Sequence, residues 1–100
     1  MDGLGDSHIP RQTTTKAAEQ SAADFLATTF KAPCDISIIA LGPLTNIATA
    51  LTLNPQLGAN CARFVSMGGT YKSHGNCSPV AEFNYWSDPE AALAVYEHLN

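Results

Sequence analysis

Basic residues are scarce: Arg11, Lys16, Lys31, Arg63 and Lys72 stand singly among 100 positions, against nine acids and a net charge of −4. No Lys/Arg stripe is available to track a phosphate backbone, so nucleic acid is not an expected partner. Long apolar runs are missing too. None approaches the roughly 18 residues of a membrane helix, and no membrane partner is expected. Cysteine is sparse and unpaired, since Cys34, Cys61 and Cys77 are odd in number and contain no Cys-x-x-Cys. No export signal with a basic start and apolar middle is recognisable, so a reducing, cytoplasmic setting is expected and the Asn76-Cys77-Ser78 glycosylation pattern carries little weight. A Gly-x-Ser-x-Gly elbow, a Walker loop and a dinucleotide fingerprint are all absent, which leaves ordinary acyl and phosphoryl transfer without support.

What remains is the balance of a packed α/β protein, with 45% apolar and 14% charged residues in a length that allows at most one domain. No repeat, low-complexity tract or linker divides it. Two glycines and two aspartates ahead of Pro10 favour a surface loop over Met1 to Pro10. Ala18, Ala22, Phe25, Leu26 and Phe30 fall near one face of a helix running from Thr14 to about Phe30, which Pro33 should stop near Lys31. Asp35 to Leu41 reads as a strand buried on both faces, closed by Gly42-Pro43. Leu44, Ile47, Ala48 and Leu51 then form a helical stripe ending before Asn54-Pro55, and a second buried strand spans Ala62 to Met67. That order predicts a right-handed βαβ unit with parallel strands. Asp88 as N-cap and Pro89 at the first helical position announce a last helix with the stripe Ala92, Val95, Tyr96 and Leu99.

Chemistry should gather where parallel strands end, because loops converge there and helix N-termini offer unpaired N–H groups. Two loops occupy that edge: Gly42 to Asn46, and the stretch from Met67 to Asp88, which periodicity assigns to no regular element. Asn76, Glu82 and Asn84 bring amides and a carboxylate among aromatics, a set suited to a neutral ligand rich in hydroxyls. Glu82 and Asn84 flank Phe83 at a spacing of two, so an extended chain would point both polar groups one way and Phe83 into the core. The alternative is that these groups satisfy loop backbone. His74 with Cys77 lacks a second pair at metal-ligand spacing. Asp2 and Asp6 fall short of the 6–8 oxygens that calcium takes.

Ala40-Leu41-Gly42-Pro43-Leu44-Thr45-Asn46-Ile47-Ala48, Met67-Gly68-Gly69, Asn76, Val80-Ala81-Glu82-Phe83-Asn84 and Asp88-Pro89-Glu90-Ala91-Ala92 together resemble the inosine-uridine preferring nucleoside hydrolase family, in its order and spacing. The resemblance implies the central part of a Rossmann-like, mostly parallel sheet with flanking helices. It also implies hydrolysis of the N-glycosidic bond of ribonucleosides to base and ribose around a bound Ca2+. It would make the Thr45 carbonyl a calcium ligand and place Met67, Asn76, Glu82 and Asn84 against the ribose.

The family's opening aspartate-rich motif and its later His-Asp segment have no counterpart here. Residues 1–100 are therefore expected to be a partial domain without catalytic residues of its own, inactive in isolation. Its expected partners are a ribonucleoside and, through oligomerisation or an exposed sheet edge, another copy or a full-length homologue. A non-catalytic role as partner or regulator of such a homologue is the alternative.

Overall fold

The computed structural model describes His8, Pro10 and residues 16–72, 74–77 and 81–99. The expected loop over Met1 to Pro10, Asp2 and Asp6 included, lies largely outside these residues, as does the expected helix start at Thr14.

Helix α1 (Ala22–Thr29) begins later than its apolar pattern suggests, because Ser21 caps it. The Ser21 hydroxyl oxygen accepts the Asp24 N–H at 3.1 Å and donates to Asp24 Oδ2 at 2.8 Å, an N-cap that fixes the first turn. Phe30 is buried as its spacing predicts, with Ala23 beside it in the core, whereas Ala22 and Phe25, expected on the same face, are exposed. Strand β1 (Ser37–Ala40) pairs in parallel with β2 (Arg63–Ser66), in register from Ser37↔Arg63 to Ala40↔Ser66. Flanking bonds from Ala62 N–H to Ile36 O and from Met67 N–H to Ala40 O extend the ladder at both ends.

The crossover consists of α2 (Thr45–Leu53) and a single-turn helix, α3 (Leu57–Asn60), which no periodicity announced. Asn54 holds this corner. Its Nδ2 donates to the carbonyls of Ala27 and Phe30, and its Oδ1 accepts the Gln56 N–H. After β2 come α4 (Phe83–Ser87) and α5 (Pro89–Leu99). Asp88 Oδ1 accepts the Ala91 N–H at 3.0 Å, so Asp88 and Pro89 open α5 as their chemistry requires.

One core joins Ala23 and Phe30 of α1, Ile38 of β1, Leu44, Ile47, Ala50 and Leu51 at α2, Leu57 of α3 and Ala91, Ala92 and Val95 of α5. Phe30, Leu44, Leu51 and Leu57 are fully buried, each stabilising the fold by about 1.5–3 kcal/mol. Helix α2 lies between α1 and α5. The strand residues Ile38, Ala40 and Phe64 belong to or pack against this core. The expectation that both strands are buried on both faces is corrected: Ile39 is 67% exposed and Val65 45%, because no described element covers their side of the pair. Tyr96, expected in the α5 stripe, is half exposed.

Candidate functional site

Where β1 and β2 end, their chains diverge into Leu41-Gly42-Pro43 and Met67-Gly68-Gly69, and the side chain of Asn84 bridges the gap. Its Nδ2 donates to the Met67 carbonyl at 2.9 Å and to the Leu41 carbonyl at 3.2 Å, with Met67 Sδ at 3.5 Å. Asn84 is the buried polar residue among the described positions, and both amide protons are spent on strand-end carbonyls.

Glu82 precedes Asn84 as the N-cap of α4. One carboxylate oxygen accepts the Asn84 N–H at 3.0 Å; the other accepts the Tyr85 N–H at 3.2 Å and the Gly69 N–H at 2.7 Å. Backbone N–H groups of Asn84, then Gly69 and Tyr85, hold its pKa below the ordinary carboxylate value, so it is ionised at neutral pH. Asn76 completes the arrangement, its Oδ1 accepting the Phe83 N–H at 2.7 Å. The extended geometry expected for residues 82–84 is replaced by a helical turn. Phe83 faces outward at 50% exposure and Asn84 turns inward, because a carboxylate N-cap satisfies the first N–H groups of a helix better than an open strand would.

Met67, Asn76, Glu82 and Asn84 are thus brought to one edge. Each of the three polar side chains bonds backbone there. A carboxylate offers about four lone-pair positions. Among the described residues, three N–H groups meet those on Glu82, two at Oε2 and one at Oε1.

Tyr85 was not singled out by sequence. A side chain on Gly68 would lie 2.6 Å from the Tyr85 ring and 2.9 Å from Glu82 Oε2, and Gly69 adopts φ +80 against the same ring. The paired glycines are therefore the signal that a flat group packs on this turn. The Tyr85 hydroxyl bonds Ser66 Oγ at 2.8 Å, and its ring meets Tyr96 edge-on at 6.0 Å.

Thr45 stands at the first position of α2. Its hydroxyl donates to Asp88 Oδ2 at 2.6 Å, while its carbonyl points along the helix and accepts the Thr49 hydroxyl at 2.9 Å. The Thr45 carbonyl, the expected calcium ligand, thus lies in the first turn of α2, and the carbonyls that Asn84 holds at the strand ends are those of Leu41 and Met67. Among the described residues no three His, Cys, Asp or Glu side chains cluster, and both His74 and Cys77 are exposed. These residues do not fit a calcium cage, which draws on several carboxylates. No described helix is long and apolar enough to cross a membrane.

Comparison with known proteins covers the same elements. The family model for inosine-uridine preferring nucleoside hydrolase matches residues 1–100. Probable uridine nucleosidase 2 of Oryza sativa is 47% identical over 96 residues, 95% of this chain and 28% of that protein. The non-specific ribonucleoside hydrolase RihC of Klebsiella pneumoniae is 43% identical over 96 residues, 96% of this chain and 30% of its own length. Among solved structures, the plant nucleoside hydrolase PpNRh1 superposes with a TM-score of 0.88 at 36% identity, covering 97% of this chain and 30% of that one. The purine-preferring ribonucleoside hydrolase from Gardnerella vaginalis gives 0.85 at 36% identity, over 96% and 30%. The chain spans about 30% of the length of the relatives it matches, and with sequence and fold in agreement it belongs to the inosine-uridine preferring nucleoside hydrolase family.

Proposed function

We propose that the carboxyl edge of β1 and β2 is the ribose-facing wall of a ribonucleoside site, within a domain that hydrolyses the N-glycosidic bond to free base and ribose. The observation that carries this reading is the convergence of Glu82 and Asn84 on the turn that begins at Met67, with Asn76 bonded to the Phe83 N–H between them. Similar proteins bear names specifying uridine, purine or no base preference, and what those names share is the ribonucleoside. A wall that reads the sugar fits that common part.

The described residues bind and orient. Ionised Glu82 accepts a sugar hydroxyl, and the backbone bonds that fix the carboxylate spare the ligand the cost of ordering it. Asn84 holds the two strand ends at a fixed separation, and Asn76 ties its loop to the start of α4. Such fixation contributes to hydrolysis by positioning, which an open-water reaction lacks. No described residue is assigned as acid or base, and residues 1–100 alone are expected to bind without turnover.

Titration calorimetry of ribose, inosine and uridine against the chain, in a chelator, tests the reading. Binding of all three that falls at least tenfold in Glu82→Gln and Asn76→Ala, with circular dichroism unchanged, supports it. Equal affinity in the variants, or binding of free base alone, rejects it. Release of base by residues 1–100 would show that catalysis needs nothing beyond them.

A further inference from the structure

Tyr85 engages the strand-end turn with its backbone, its ring and its hydroxyl. Its N–H and that of Gly69 are donated to the same carboxylate oxygen, Glu82 Oε2, at 3.2 and 2.7 Å. One edge of the ring faces Gly68 and the other Gly69, so closely that a Cβ would come within 2.6 Å of it at Gly68 and 3.0 Å at Gly69. The hydroxyl bonds Ser66 Oγ at 2.8 Å, on the residue that precedes Met67. The contacts thus close on themselves, from Ser66 along the chain to Gly69, through Glu82 to Tyr85 and back to Ser66.

Two consecutive glycines have no side chains with which to fix their own backbone. Gly69 stands at φ +80, and glycine takes positive and negative φ with similar ease. The restraint therefore has to come from outside, and the Tyr85 ring supplies it. What sets the ring is its hydroxyl: Ser66 ends β2, while Tyr96 of α5 brings its own hydroxyl to 3.4 Å and its ring edge-on at 6.0 Å. Strand and helix act on the turn through one phenol. Phenylalanine would fill the same space without the tether.

We propose that Tyr85 is a positioning residue of the ribonucleoside site: it clamps the Gly68-Gly69 turn so that the Gly69 N–H stays on Glu82 and the carboxylate is held still for a sugar hydroxyl. It acts through Glu82. The sugar part of this inference rests on the ribonucleoside reading, whereas the clamp rests on the contacts alone. Because the Gly69 N–H is among the groups that hold the Glu82 pKa down, releasing the turn raises it.

The test compares Tyr85→Leu, Tyr85→Phe and Ser66→Ala in residues 1–100. Tyr85→Leu should speed amide exchange at Gly69 by roughly tenfold and leave exchange in α1 at the parent's rate. It should also raise the midpoint at which the Glu82 carboxyl resonance titrates. Ribose and inosine should bind roughly two- to tenfold more weakly, the effect of having to order one side chain on binding. Tyr85→Phe and Ser66→Ala remove the same bond, so each should give a smaller change in the same direction and the pair together no more than the larger of the two. If Tyr85→Leu fails to fold, these two variants decide by the same readouts. Gly69 exchange and Glu82 titration that match the parent overturn the proposal, as does acceleration spread evenly over α1, α2 and the turn, which marks an ordinary packing residue. Ligand binding by the parent that Tyr85→Leu leaves unchanged overturns this proposal alone. A parent that binds neither ribose nor inosine overturns the ribonucleoside reading and the positioning role with it, even where the Gly69 readout shows the clamp.

Discussion

Thr45 and Asp88, 43 positions apart, share a 2.6 Å hydrogen bond that brings the first residue of α2 onto the carboxylate capping α5. One acid thereby serves two helix N-termini, where the backbone dipoles favour negative charge. Thr45→Val should lower stability by about 0.5–1.5 kcal/mol in urea unfolding, and Thr45→Ser should restore most of it. Combining Thr45→Val with Asp88→Asn should cost less than the sum of the two changes, since both remove one bond.

Acid should loosen the site before it unfolds the core. Asp88 is held below its ordinary pKa by the Thr45 hydroxyl and then the Ala91 N–H, and Glu82 by the N–H groups of Asn84, Gly69 and Tyr85. A carboxylate with a depressed folded pKa contributes stability that is fully present above its unfolded value and is lost as pH falls through the folded one. The urea midpoint should therefore be flat near neutrality and fall as pH drops through about 4 and below. Glu82→Gln combined with Asp88→Asn should flatten that decline; an unchanged decline would place its origin in other acids.

Asn84→Asp should be more harmful than Asn84→Ala. The alanine variant leaves the Leu41 and Met67 carbonyls without their donor, at about 1–3 kcal/mol. The aspartate variant sets a buried carboxylate against those same oxygens, which raises its pKa in the folded state. Its stability should then decline as pH rises through that value, opposite in sign to the parent, and urea titrations at pH 4 and 7 would show the crossing.

Gly68→Ala should cost about 1–3 kcal/mol and should cost it locally, because the added methyl meets the Tyr85 ring and the carboxylate of Glu82. Amide exchange at Gly69, whose N–H donates to Glu82, should accelerate in this variant while that of α2 stays unchanged.

The strand, helix, strand order and the start of α5 were readable because their signals are local: β-branched runs, a stripe at helical spacing, and Asp88-Pro89. Ser21 and Asp24 also spell an N-cap, and giving it more weight than the alanines before it would have placed α1 correctly. Helices α3 and α4 are too short for any period to declare itself, and α4 forms because a carboxylate 13 positions away from Gly69 closes the turn. Asn76, Glu82 and Asn84 could be named in advance as one polar group, and the family resemblance added Met67. Their bonding could not, because spacing does not tell a cap from a strand. The exposure of Ile39 and Val65 was equally hidden, since a run of apolar residues says that a strand wants cover and not whether cover is present.

Trp86, the chain's one tryptophan, follows Tyr85 in the helix that Glu82 caps, and its indole is 58% exposed. Any ligand that draws on Glu82 or disturbs the glycine turn must act on the backbone carrying that indole. The molecule therefore brings its own optical reporter to the edge where a sugar would settle, and changes in indole emission would follow occupancy without a label.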